Sequence, residues 1–448
     1  MNGIDALAEI VQQRTGADAP VLEKLAHHVA DAIGAWIAAS KTSEGKALIA
    51  FRKHSQIADR SAAPSLDIDI ATHVALVRLS EIDDIHLQSM TTPGAIAVPA
   101  ALTLAAALPQ AEIGDVIAAM LAGYEAVIRL GLAIKGPDVL YRGIWPTYFG
   151  AGFATAAVAA RLLRLDLKQT AHALALSLSF ASPSVGQHHA ATTARWFSVG
   201  NAARNGLTAA RAAQAGFTAD VEILRSHLFA EVYGIEPDVA ALAEPNLPVF
   251  EGVSLKPWCA ARQTMAATQA LREVLATGIT ADDIWDVTAH VPPPHLKMID
   301  HGVKLGDRAS FLTSLPYQLA LAALQPAQMA TLDPAAPTPL PLLESFMMKI
   351  KVAGDEKLLR HYPAVWPARI VVTTRSGEHS REVQNVPGDP ARPLSAADIR
   401  RKFVHFVAPV CGQATDRIWH SALTAPCSRE ALLRLMEELR GVMVQAGD

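Results

Sequence analysis

Only three cysteines, Cys259, Cys411 and Cys427, occur in 448 residues, and none forms a Cys-x-x-Cys spacing. The sequence therefore suggests neither a disulfide framework nor a zinc site. Charged residues make up 18% of the chain, the net charge is −4 and no basic run is present, so there is no cationic stripe with which to neutralise nucleic-acid phosphates. Long apolar runs free of charge are missing too. Residues 116–134 carry Glu125 and Arg129 and read as a buried helix rather than a membrane span. Met1-Asn2-Gly3-Ile4-Asp5 has no basic start and no long apolar run behind it, so no signal peptide is expected and a cytoplasmic, reducing location is the default. No Gly-x-x-x-x-Gly-Lys, His-Glu-x-x-His or Gly-x-Ser-x-Gly motif occurs. Gly150-Ala151-Gly152 lacks the preceding strand and third glycine of a dinucleotide loop and reads as helix-packing glycine. No cofactor or metal is expected, and any chemistry must come from acids, bases and cationic clamps.

What is present is a chain half hydrophobic in composition and rich in alanine. That suits closely packed helices with covered surfaces, and an oligomer is expected. Up to about residue 234 the apolar spacing is helical almost throughout, as in Leu22-Leu25-Ala26-Val29-Ala30-Ile33-Trp36-Ile37. Further helices are expected near residues 70–79, 96–107, 113–132, 149–163, 167–180, 199–215 and 220–232. Composition shifts at Glu244-Pro245-Asn246-Leu247-Pro248. Beyond it come a helix at 262–275, a β-like run at 283–291 stopped by three prolines, a helix at 310–324 and a proline-rich loop. Next are a helix at 342–350, a possible strand at 350–352 and strands at 369–375 and 380–386. Three helices near 396–410, 415–423 and 429–443 follow. The expectation is a mostly α protein: an all-helical domain from residues 1–248 and 394–448, and an α+β domain with an antiparallel sheet from 249–393.

The most site-like stretch is residues 81–102. It places Glu81, Asp83, Asp84, His86, three hydroxyls and a Pro-Gly turn at a helix-to-helix junction; the bland alternative is a solvated loop whose aspartate caps a helix. Tyr141 to Phe149 concentrates aromatic and hydroxyl groups, among them Trp145 and Tyr148, ahead of a helix whose free N–H groups favour anions. Gln187-His188-His189 and Thr192-Thr193-Ala194-Arg195-Trp196-Phe197 precede another helix, where the alternative is surface histidines with an aromatic staple. Lys256-Pro257-Trp258 and Arg262 sit just past the domain boundary, where clefts are common; a loop with a snorkelling lysine is the alternative.

These segments carry a resemblance. Asp83-Asp84-Ile85-His86 followed by Thr91-Thr92-Pro93-Gly94-Ala95 resembles the Asp-Asp-Thr-His…Thr-His-Pro-Gly-Ala pattern of the 2-methylcitrate dehydratase (MmgE/PrpD) family. Trp145-Pro146-Thr147 is similar to its Gly-x-His-Pro-Thr segment, and Val199-Gly200-Asn201-Ala202-Ala203 to its His-x-Gly-x-Ala-Ala helix start. Lys256-Pro257-Trp258 resembles its Lys-Pro-Tyr element, and Phe311 to Tyr317 its Phe-Ser-x-x-Tyr element. The resemblance runs in order over residues 20–430 and implies a large helical domain closed by a smaller α+β lid, in a homodimer. Departures fall at reacting positions: Thr92 and Trp145 stand where the family's dehydratases and decarboxylases carry histidine, Arg195 where they carry lysine, Ile85 where they carry threonine and Glu81 where they carry aspartate.

The reactions implied are water loss from 2-methylcitrate, decarboxylation of cis-aconitate and epimerisation of iminodisuccinate. All build negative charge on a carboxylate beside the reacting carbon, which fixed cations must meet. The expected roles follow. Arg195 and Arg262 hold substrate carboxylates. Lys256, half buried and crowded by them at a domain interface opposite Asp84, has its pKa lowered and acts as base. His86 or Asp84 returns the proton, Tyr317 steadies the acid, and Trp145 narrows a pocket to which Glu81, Thr92, Tyr148 and His188 also belong. The leading expectation is a cofactor-independent lyase of a small hydroxy di- or tricarboxylic acid. An epimerase of a substituted succinate and a non-catalytic polycarboxylate-binding protein are the alternatives.

Overall fold

The computed structural model describes residues 3–14, 16–55, 65–181, 192–244, 247–332 and 340–447. Its chain divides into two units, one built from residues 1–186, 193–255 and 395–448, the other mainly from Lys256–Leu394.

The first unit opens with α1 (Gly3–Gln13), α2 (Ala19–Ala39), α3 (Ser43–His54) and α4 (Leu66–Leu79). Asp18 caps α2 by accepting from the Val21 N–H at 3.0 Å, and Pro20 opens its first turn. After the two-residue strand β1 (Ile85–His86) come α5 (Gly94–Ala107), α6 (Ile113–Ala133), α7 (Gly136–Leu140), α8 (Pro146–Leu162), α9 (Leu167–Ser179) and α10 (Ala194–Gln214). A capping box of Asp166 and Gln169 starts α9. α6 is the one described helix long and apolar enough to cross a membrane, yet its apolar stretch is 94% buried in the protein. Its charges are neutralised inside: Arg129 Nε donates to Glu125 at 2.7 Å, and its NH1 donates to the Glu244 carbonyl at 2.8 Å.

Small residues set how closely these helices approach. A Cβ on Gly206 of α10 would lie 2.2 Å from the Gly152 carbonyl oxygen of α8. Gly152 is thus helix packing, as its sequence context suggested, with α8 laid against both α6 and α10.

One segment departs from the expected helical pattern. Residues 220–232 form a 3₁₀ turn (Ile223–Arg225) and a π turn (Leu228–Val232) instead of an α-helix, with the Ser226 hydroxyl donating to the Ile223 carbonyl at 2.6 Å. A short helix, α11 (Ala240–Ala243), leads to β2 (Val253–Ser254). β2 pairs antiparallel with β1, so this unit is not purely helical: the 81–94 junction is pinned by a two-residue ladder that short runs with no alternation do not announce.

The second unit begins with α12 (Arg262–Leu275), followed by β3 (Ile284–Val291), α13 (Leu296–Ile299), α14 (Arg308–Thr313) and α15 (Leu315–Leu324). The single helix expected at 310–324 is broken at Ser314, which caps α15, with Pro316 in the first turn. α16 (Leu340–Met347), β4 (Ile350–Gly354), β5 (Ala368–Thr374) and β6 (Gly377–Val383) complete it, in sheet order β4-β3-β5-β6. β5 pairs antiparallel with β3 and β6, but β4 lies parallel to β3. The sheet is therefore mixed rather than antiparallel, since the helices between β3 and β4 supply the crossover that a parallel pair needs. Its core joins Ile284, Val287, Ala289 and Val291 of β3 to Met265 and Leu271 of α12.

The chain then returns to the first unit with α17 (Ala396–Cys411), α18 (Thr415–Thr424) and α19 (Arg429–Gly447). α17 packs on α2, and α19 on α3 and α5.

Candidate active site

Asp84 is the centre of the polar groups in the first unit. It is 4% exposed, and both its oxygens are occupied. Oδ1 accepts the Gly94 N–H at 2.8 Å; Oδ2 accepts the Tyr124 hydroxyl at 2.8 Å and lies 2.9 Å from His28 Nδ1. The carboxylate thus sits at the N-terminal end of α5, where backbone N–H groups and the helix dipole favour negative charge. Burial, then Asp84, pushes the Tyr124 hydroxyl well above its ordinary range, which keeps it protonated and donating.

The turn that follows is locked from within. His86 N–H donates to the Thr91 carbonyl at 2.8 Å, and Ser89 Oγ lies 2.9 Å from His86 Nδ1 and 2.7 Å from Thr91 Oγ1. Burial, with Lys24 nearby, lowers the His86 imidazole to about 4 against the opposing pull of Asp84, so His86 is neutral at neutral pH. Two non-glycine residues bracket the segment in left-handed conformation, Glu81 at φ 57° and Met90 at φ 55°, a sparsely populated region that clusters at functional sites.

A second group of side chains lies alongside in sequence. Arg78 NH2 is 3.0 Å from Glu81 and NH1 is 3.4 Å from Asp83. Burial works to lower the Arg78 pKa, but Asp83 and Glu81 outweigh it and raise the pKa. The Arg78 guanidinium faces the rings of Tyr148 and Trp196 at 5.9 and 5.7 Å. Arg195, in the first turn of α10, stacks at 4.6 Å on Trp145 and 5.3 Å on Trp196 and has no carboxylate partner among the described residues. The Tyr148 hydroxyl is buried with no hydrogen-bond partner among them; burial raises its pKa, with Arg78 and Arg195 opposing. Thr92 joins this group through Thr147 Oγ1, which accepts the Thr92 N–H at 3.0 Å.

The structure therefore brings Glu81, Thr92, Trp145, Tyr148 and Arg195 into one neighbourhood of the first unit, with Asp84 and His86 on the same segment. His188 lies outside the described residues. Lys256, Arg262 and Tyr317 belong to the second unit. Lys256 is buried there. Arg262 NH2 donates to Asp389 at 2.7 Å and the guanidinium faces Trp366 at 5.8 Å, while its Nε and NH1 are buried without a described partner. Asp389 in turn accepts the Val386 N–H at 2.8 Å. Burial pushes the Tyr317 hydroxyl up to about 12. Burial, then Arg262, lowers the His295 imidazole to about 3.

Sequence reasoning overlooked three residues of α2: Lys24, His28 and Asp31. Lys24 Nζ donates to the carbonyls of Phe250 and Glu251, each at 2.9 Å, and burial lowers its pKa against Glu251 and Asp84. Asp31 pairs with Lys402 of α17 at 2.5 Å, and burial raises its pKa against Lys402. The signal was available: at spacings of four and three, the three fall on one helix face, interrupting an apolar pattern with groups that must find partners once buried. No cluster of three His, Cys, Asp or Glu side chains able to hold a metal occurs among the described residues.

Comparison with known proteins matches the MmgE/PrpD N-terminal domain model to residues 5–240 and the C-terminal domain model to residues 258–424. The chain belongs to the MmgE/PrpD family. A cis-aconitate decarboxylase from Aspergillus terreus is 31% identical over 180 residues, covering 37% of this chain and 36% of that protein. The matched segment thus spans little more than a third of the relative's length.

Proposed function

We propose that this MmgE/PrpD member is a cofactor-independent lyase acting next to a carboxylate of a small hydroxy di- or tricarboxylic acid of the 2-methylcitrate type. The observation that carries the reading is Arg195, a guanidinium stacked between two indoles with no carboxylate partner among the described residues. Stacking fixes the cation and leaves its N–H edges for a planar anion, which is what charge building on a substrate carboxylate requires. Family membership and the decarboxylase relative support a lyase.

In this reading a base takes the proton from the carbon beside the carboxylate, the electron pair forms the new carbon–carbon double bond, and the hydroxyl leaves as water with a proton from an acid; Lys256 of the second unit is a candidate for the base. Tyr317 and Arg262, both in the second unit, are candidates for steadying an acid and for holding a carboxylate. Asp84, with the Gly94 N–H and the Tyr124 hydroxyl donating to it and His28 Nδ1 beside it, is better suited to orienting a partner than to exchanging a proton itself. His86 is neutral and internally bonded, and remains a candidate for the proton's return. A homodimer in the reducing cytoplasm completes the proposal.

An epimerase of a substituted succinate is the second reading, kept because Thr92 and Trp145 in place of two histidines weaken the dehydratase case. Incubation with 2-methylcitrate, citrate, cis-aconitate and substituted succinates in heavy water separates the outcomes. An alkene product or released carbon dioxide supports the lyase. Deuterium uptake without an alkene replaces it with the epimerase. Binding without deuterium uptake leaves a polycarboxylate-binding protein. Undiminished turnover in Lys256→Met would remove lysine from its role.

A further inference from the structure

We infer that His28, held by Asp84 as the tautomer with its proton on Nδ1, is a proton acceptor of this site through Nε2. The inference rests on the lyase reading for the reaction and on the geometry of the first unit for the residue. Three contacts converge on one carboxylate, and two of them leave no freedom. The Gly94 backbone N–H can only donate, and Tyr124 directs its hydroxyl to Oδ2. An ionised Asp84 satisfies both and asks a third proton of His28 Nδ1 at 2.9 Å. With the proton on Nδ1, the lone pair of the neutral ring lies on Nε2. The same logic, a carboxylate that fixes tautomer and ring orientation and then stabilises the imidazolium, underlies acid–base histidines generally.

His28 differs from the other enclosed histidines of this unit. His73 packs on Trp36 at 4.1 Å, bonds the neutral hydroxyl of Thr103 at 2.8 Å and has a sealed Nε2. It is a core residue. His28 instead has an anion on Nδ1, and its ring is clamped by Phe250 at 5.1 Å and by the edge of Tyr124 at 6.0 Å. Its Nε2 has no hydrogen-bond partner among the described residues, in a side chain that is 2% exposed. A ring held by two aromatic neighbours, bonded to a carboxylate at one nitrogen and without a described partner at the other, is prepared to move a proton rather than to fill space.

The test begins without any substrate. In full-length protein labelled with ¹⁵N histidine, the His28 signals, assigned by their loss in His28→Gln or by their shift in Asp84→Asn, are expected to report a protonated Nδ1 and a bare Nε2 at pH 8. Asp84→Asn should turn the tautomer over, because an amide N–H would then face Nδ1. A wild-type proton on Nε2 overturns the inference whatever the substrate. On whichever acid of the panel wild type turns over, His28→Gln is expected to lower kcat by about 100-fold or more, while Tyr124→Phe keeps the tautomer and costs less. The bare Nε2 together with an unchanged kcat in a folded His28→Gln protein refutes the role of His28 and leaves the lyase reading standing. No turnover of any panel acid by wild type ends the lyase reading, and with it the role of His28 in that reaction, while the tautomer result still decides the geometry.

Discussion

Replacing Gly94 with alanine should separate the demands of the helix from the demands of the site. By intrinsic propensity alone, alanine in a helix is favoured over glycine by about 1 kcal/mol. The surroundings reverse the sign. A Cβ at residue 94 would lie 2.4 Å from Asp84 Oδ2, 2.5 Å from the Tyr124 hydroxyl oxygen and 2.8 Å from Asp84 Cγ, all deep inside the protein, so the carboxylate and the tyrosine must both move. Displacing the carboxylate spoils two bonds to a charged acceptor, the Gly94 N–H and Tyr124 O–H contacts of 2.8 Å, each worth roughly 1.5–3 kcal/mol. Set against the propensity gain, the expected loss is roughly 2–5 kcal/mol. Urea unfolding followed by far-ultraviolet circular dichroism measures it, with Gly114→Ala as control. Gly114 lies in α6 with nothing within 4 Å of its would-be Cβ, and that change should leave stability unaltered or raise it slightly. A Gly94→Ala protein as stable as wild type would refute the packed arrangement of Asp84 and everything argued from it.

Two further outcomes follow from buried charge. Lys402→Met should cost about 3–5 kcal/mol by leaving Asp31 without its cation, and Asp31→Leu combined with Lys402→Met should recover most of that; a single mutant within 1 kcal/mol of wild type in the same unfolding assay would contradict the pairing. Stability should also fall on mild acidification. The His86 pKa drops from 6.5 to about 4 in the folded protein, so the unfolded chain binds a proton first. Stability is full above pH 6.5 and declines as pH falls toward 4, by about 3 kcal/mol for this residue. The His295 imidazole, lowered to about 3, adds in the same direction. His86→Gln should flatten the decline in midpoint between pH 7 and 4.5, and an equally steep profile would disprove the assignment.

Much of the fold was legible in the sequence because its signals are local. The 3.6-residue apolar period and the Asp166 cap each act through near neighbours. Glu125 and Arg129 gave away the buried character of α6 because they lie four residues apart and neutralise one another. What stayed hidden depends on distant partners. His28 meets Asp84 across 56 residues and Lys402 meets Asp31 across 371, separations at which no spacing rule operates. The parallel β4 was hidden for the same reason, since strand order is decided by which edge the crossover reaches. At the candidate site, the motif around residue 84 pointed to a segment that the structure buries and ties down with hydrogen bonds, but the carboxylate on Arg262 comes from Asp389, 127 residues away, in a loop with no site-like signature.

The polar face of α2 has one more consequence. Lys24, His28 and Asp31 find their partners in residues 250–251, 84 and 402 respectively, so a single rod indexes three remote parts of the chain at once. Inserting or deleting one residue between positions 24 and 31 would turn one end of that rod by about 100° relative to the other and could leave no more than part of the set aligned. Length in this helix should therefore be far less negotiable than side-chain identity on its apolar face, where one hydrophobic group can stand in for another.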